Sequence, residues 1–106
     1  MPGGTALGKT FLDDCYLDLK KNDQGQAIAE FTDPAAHYGL RLRGISPEIS
    51  AFQVYAPPDR QIVVIEPQFN WGDPFSKIWK GKKTGMVILK PGQSVTYKTE
   101  VELFVP

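Results

Sequence analysis

Apolar and polar residues alternate along this chain with period two, and the 3.6-residue period of an amphipathic helix is nearly absent. The clearest run is near the end. Val95, Tyr97, Thr99, Val101 and Leu103 fall on one side and Thr96, Lys98, Glu100 and Glu102 on the other, as a half-buried strand requires. Tyr38, Leu40 and Leu42 alternate with Gly39, Arg41 and Arg43, giving a strand with one basic face. That face reads as a solvated strand surface rather than an anion site, with Glu30 or Glu100 as cross-strand partners. Further strands are expected over Phe11 to Leu19, Ala27 to Phe31, Phe52 to Tyr55, Ile62 to Glu66 and Met86 to Leu89. Turn chemistry separates them: Lys20 to Gly25, Asp33-Pro34, Ala56-Pro57-Pro58-Asp59, and Lys90-Pro91-Gly92-Gln93, where Pro and Gly hold type II positions. Seven short strands joined by polar turns predict one all-β domain over residues 1–106, folded as an antiparallel β-sandwich.

One strand carries candidate chemistry. Ile62-Val63-Val64-Ile65 is an apolar, β-branched run that reads as covered on both faces. It delivers Glu66, and Pro67 then ends regular pairing unless the strand lies at an edge. A carboxylate beside low-dielectric packing is a candidate general base with a raised pKa. The plain alternative is a glutamate turning into solvent where the strand finishes. After it, residues 67–84 form a long connection holding Phe69, Trp71, Phe75 and Trp79. A loop of that length is usually functional or disordered, and this one is too aromatic for a tether. Its rings suit stacking on the C–H face of a sugar, capping the open end of the sandwich, or burial against a second subunit.

Composition narrows the partners. Twelve basic and twelve acidic side chains cancel and are interleaved, which leaves no electrostatic footprint for nucleic acid or an anionic membrane. The single cysteine, Cys15, permits no intrachain disulfide, and one His with one Cys makes no zinc site. The start lacks the basic and apolar regions of a signal peptide, and no apolar run reaches transmembrane length. A soluble cytoplasmic protein with a neutral small-molecule partner is expected.

Three segments together are similar to a known family. Phe52-Gln53-Val54-Tyr55-Ala56-Pro57, Val64-Ile65-Glu66-Pro67-Gln68 and Ile88-Leu89-Lys90-Pro91-Gly92-Gln93 resemble, in order and spacing, the C-terminal part of the aldose 1-epimerase (galactose mutarotase) family. Leu12-Asp13-Asp14-Cys15-Tyr16 looks like the family segment that holds a sugar-binding aspartate just before an aromatic residue. The resemblance covers essentially the whole chain and implies the C-terminal portion of a β-supersandwich. It also implies cofactor-free interconversion of the anomers of a free hexose. Glu66 matches the base that removes the anomeric hydroxyl proton, and Asp13 matches the aspartate that holds a sugar hydroxyl. Gln68, Phe69 and Trp71 are the remaining candidate contacts.

The chain also departs from the family pattern. Family members are much longer, and their acid histidine, a second histidine and an arginine lie in segments with no counterpart here. His37, in Ala35-Ala36-His37-Tyr38-Gly39, matches none of them and reads as an exposed turn residue. Losing one member of an acid–base pair commonly costs on the order of 10²–10⁴ in rate. The isolated chain is therefore expected to be a weak or inactive isomerase unless a partner completes the site. Exposed sheet edges make a homodimer or higher homo-oligomer the natural remedy. The alternative is a non-catalytic sugar-binding or structural remnant of the family.

Overall fold

A computed structural model describes residues 6–8, 10–59 and 61–106. Among them are six strands, β1 (Leu12–Tyr16), β2 (Ala27–Asp33), β3 (Tyr38–Gly44), β4 (Ala51–Ala56), β5 (Val64–Gln68) and β6 (Thr99–Phe104), and one 3-10 turn at Lys77–Trp79. Every pairing is antiparallel, in two three-stranded sheets of order β1-β4-β5 and β2-β3-β6. The fold is the all-β antiparallel sandwich that the alternation predicts. No helix among the described residues is long and apolar enough to cross a membrane.

Local chemistry sets the connections. Between β1 and β2 the Asn22 side-chain oxygen accepts from the N–H of Gln24 and of Gln26. Gly25 supplies the left-handed residue of that turn, at φ 76°. Within the β2–β3 hairpin the Asp33 carboxylate accepts from the Ala36 N–H, and His37 sits exposed at φ 56°. The chain returns to the first sheet through Ile45–Ser50. Buried Ser46 donates to the Thr96 carbonyl at 2.6 Å and accepts from the Lys98 N–H at 2.7 Å. Ile49 packs where a side chain on Gly44 would stand. The core lies at this crossing and along β4, and consists of Ala27, Ile49, Ala51, Phe52 and Ala56.

In β2-β3-β6 the register separates two faces. Ala29, Leu42 and Val101 form one cross-strand row, and Phe31, Leu40 and Leu103 the next. On the opposite face Glu30 lies beside Arg41 and Glu102, while Arg43 lies beside Glu100. Arg41 reaches Glu102 at 2.5 Å and Glu30 at 3.4 Å. Arg43 reaches Glu100 at 2.6 Å and Glu102 at 3.0 Å. The partners expected for the basic strand face are therefore found, with Glu102 added. The Phe104 ring covers Gly39 and stacks on the Arg41 guanidinium at 4.3 Å.

Several expectations are corrected. Met86–Leu89 is not a strand; residues 82–90 have no regular pairing, and Ile88 is 81% exposed. Its β-type composition meets no neighbouring edge, and β propensity acts only through such neighbours. The last strand begins at Thr99 rather than Val95: the Ile45 N–H still reaches the Lys98 carbonyl, but the Lys98 N–H goes to the Ser46 hydroxyl instead of to the facing strand. The first strand spans Leu12–Tyr16 alone. Ile62–Ile65 is not covered on both faces: β5 is an edge strand, and Ile62 is 50% exposed. Pro67 lies inside β5, where an edge tolerates its missing N–H.

The two sheets do not close tightly on each other. A cavity of about 280 Å³ lies between Phe31, Leu40, Leu42 and Val101 of one sheet and the segment Val63, Val64 and Ile65 that leads into β5 of the other. The radius of gyration is 15.3 Å, against about 13 Å for a compact domain of this length. Leu103 and Val105 are 73% and 80% exposed.

Candidate functional site

The outer face of β1-β4-β5 gathers three of the residues singled out from the sequence. In β4, Gln53 stands opposite Cys15 on one side and Glu66 on the other, and Tyr55 stands opposite Asp13 and Val64. Side chains two apart on a strand share a face. Asp13, Cys15, Gln53, Tyr55, Glu66 and Gln68 therefore all project from the same side. Asp13 and Glu66 lie on the two flanking strands, about 12 Å apart at Cα by ideal sheet spacing, with Gln53 between them. The Gln53 amide donates to the Asp13 carboxylate at 2.9 Å. Both carboxylates are exposed, so the packing expected around Glu66 is not there.

Gln68 is turned to the base of this face. Its amide donates to the Asn70 carbonyl at 2.8 Å and lies 3.8 Å from the Cys15 sulfur. Phe69, Trp71 and Trp79 pack on other rings, whereas Phe75 is exposed. Phe69 meets Tyr97 edge-on at 5.5 Å, and Trp71 meets Trp79 at 4.9 Å. The Trp79 indole N–H donates to the carbonyls of Gly72 and Asp73. Thr84 anchors the far side, its carbonyl accepting from the Trp71 N–H at 2.8 Å. Trp71 also walls a shallow cavity of about 290 Å³ that includes Leu17, Asp18, Lys21 and Ile49. Neither this cavity nor the one between the sheets is lined by Glu66 or Asp13.

Two residues join the site that sequence reasoning did not single out. Gln53 was legible in principle, since the spacing Gln53-x-Tyr55 puts both on one face of β4. Tyr97 was hidden, because a continuous final strand assigned it to an apolar face. The structure instead brings its hydroxyl to the Pro67 carbonyl, to which it donates at 2.6 Å. Burial and the nearby Glu66 charge both hold the Tyr97 phenol above the ordinary tyrosine range. Its hydroxyl is held at the residue that follows the candidate base. His37 lies in the hairpin of the other sheet.

Chemically, the face offers two carboxylates able to accept hydroxyl protons, an amide between them, and a phenol. That set suits hydrogen bonding to a neutral polyol. Among the described residues no cluster of His, Cys, Asp and Glu has the geometry to hold a metal ion. No protein-family profile, curated protein or solved structure matches this chain.

Proposed function

We propose that this chain is an aldose 1-epimerase-like protein that binds a free hexose on the outer face of β1-β4-β5. The observation carrying the proposal is that Asp13, Gln53 and Glu66 stand side by side on one exposed sheet face. These include the two carboxylates that the family resemblance assigns to binding and to proton abstraction. Asp13, steadied by Gln53, accepts from a ring hydroxyl. Glu66 removes the proton of the anomeric hydroxyl; the electron pair forms the aldehyde and breaks the bond from C1 to the ring oxygen. The ring oxygen takes a proton, C1–C2 rotation follows, and reclosure gives the other anomer. Within this chain Tyr97, whose hydroxyl donates to the carbonyl of Pro67 next to Glu66, is one candidate proton donor, and a second copy is another source of an acid. Gln68, Phe69 and Trp71 shape one end of the site. Location in the cytoplasm and homo-oligomerisation belong to the same reading.

A second reading, binding without turnover, is favoured by the openness of the face and by the mutual packing of Trp71 and Trp79. Polarimetry of α-glucose and α-galactose mutarotation separates the two. The catalytic reading expects a rate above buffer that disappears in Glu66→Gln and falls in Tyr97→Phe. No acceleration by folded wild-type protein would rule it out.

A further inference from the structure

We infer that two copies of this chain join edge to edge through β6, making a continuous six-stranded sheet of order β2-β3-β6-β6-β3-β2. The sheets of one chain have four edges, and three are protected. β5 carries Pro67 and the exposed Glu66. β1 presents Asp13 and Asp14, neither of them in an ion pair among the described residues. The start of β2 is occupied, since the Ile28 N–H donates to the Lys20 carbonyl and Lys21 bridges Ala27. Proline, unpaired charge and a covering segment are the usual means of keeping an edge from pairing.

β6 has none of them. Its six residues pair with β3 without a bulge, from Thr99 opposite Gly44 to Phe104 opposite Gly39, and contain no proline. Its carboxylates, Glu100 and Glu102, are already neutralised by Arg41 and Arg43. Val101 and Leu103 of β6, with Val105 just past its end, leave an apolar stripe in water at 61%, 73% and 80% exposure.

Charge and symmetry select a second copy as the occupant, and they also set the register. A two-fold axis perpendicular to the sheet keeps the apolar faces of both copies on one side, so residues of like parity must stand opposite each other. Centring on Glu102 would set the two Glu102 carboxylates against each other, which costs stability. Centring on Leu103 avoids this. It places Leu103 opposite Leu103 of the partner copy, Val101 opposite Val105, and Glu102 opposite Phe104. The apolar stripes then merge, and the polar face continues as alternating carboxylates and arginine-stacked rings. This inference goes beyond the sugar reading and stands whether or not a sugar is turned over.

Cysteine crosslinking tests both the pairing and its register. Opposed residues in antiparallel strands lie about 4.5–5.5 Å apart at Cα, within disulfide range. In a Cys15→Ser background, Leu103→Cys is expected to oxidise to a covalent dimer. Val101→Cys alone is not, but mixing it with Val105→Cys is expected to restore crosslinking. Sedimentation velocity of the unmodified chain is expected to show a concentration-dependent dimer that Leu103→Lys disperses while the β-type circular dichroism is kept. A wild-type monomer at every concentration, or equal crosslinking at positions 101 and 103, would overturn the inference.

Discussion

The outer faces of the two sheets use the same kinds of side chain to opposite ends. On the outer face of β2-β3-β6 each of the carboxylates Glu30, Glu100 and Glu102 is tied to Arg41 or Arg43, and Phe104 closes the row. On β1-β4-β5 the carboxylates of Asp13 and Glu66 have no cationic partner among the described residues, and only Gln53 touches one of them. A paired charge has its hydrogen-bonding capacity filled and holds strands in register. An unpaired one keeps that capacity for a ligand. On the proposed reading, β1-β4-β5 is the surface that meets the sugar, and β2-β3-β6 supplies order.

The largest effect that can sharpen this contrast is on the core that supports the proposed binding face. Phe52 is 3% exposed and lies on the inner side of β4, directly behind Gln53. Phe52→Ala is expected to cost about 3–5 kcal/mol, read by urea denaturation, and to remove sugar binding with it. Next is Gly39→Ala. A Cβ there would stand 2.5 Å from the Phe104 ring, so the ring must leave Arg41. The expected loss is about 1–3 kcal/mol, measured the same way, with no effect at Asp13 or Glu66.

A smaller effect concerns pH. Hydrogen bonds from Arg41, and then from Arg43, hold the Glu102 carboxyl below the usual range. A carboxylate with a depressed folded pKa adds stability above the unfolded glutamate value, about 4.3, and loses it as pH falls through the folded value. Thermal unfolding of wild type is therefore expected to weaken in acid below about pH 4.3, and Arg41→Leu to flatten that dependence. The smallest effect is at the proposed site. Asp13→Asn and Glu66→Gln are expected to change stability by no more than about 0.5 kcal/mol. Glu66→Gln is also expected to bring the Tyr97 titration down toward its ordinary range, because one of the two causes of its shift is removed. A large stability loss at Glu66 would erase the contrast between the faces.

Much of this was legible in the chain. Alternation through Tyr38–Arg43 and Thr99–Leu103 fixed both faces of β3 and β6, and Glu30 and Glu100 as partners of the arginines followed from it, whereas Glu102, which reaches both arginines, did not. Glu66 and Asp13 were visible as candidates, but not as neighbours on one face, because strand order is a long-range property that periodicity does not encode. The same limit explains Tyr97. Its alternating context is indistinguishable from a strand, yet the Lys98 N–H is diverted to the Ser46 hydroxyl, and the segment before it leaves the sheet. Met86–Leu89 misled for a related reason: its composition suits a strand, but no edge stands beside it to be paired. The exposure of Glu66 follows from β5 lying at an edge, and the presence of Pro67 was the one local sign of that.

The most direct test is a ¹H–¹⁵N correlation titration of the folded protein with galactose and with glucose, which detects binding with or without turnover. Saturable shifts are expected at Asp13, Gln53, Tyr55, Glu66 and Gln68 and at the adjoining Phe69, Trp71 and Tyr97, reduced in Asp13→Asn and absent from the Arg41–Glu102 row. No shift on that face at saturating sugar, or shifts centred on β2-β3-β6, would contradict the proposed binding.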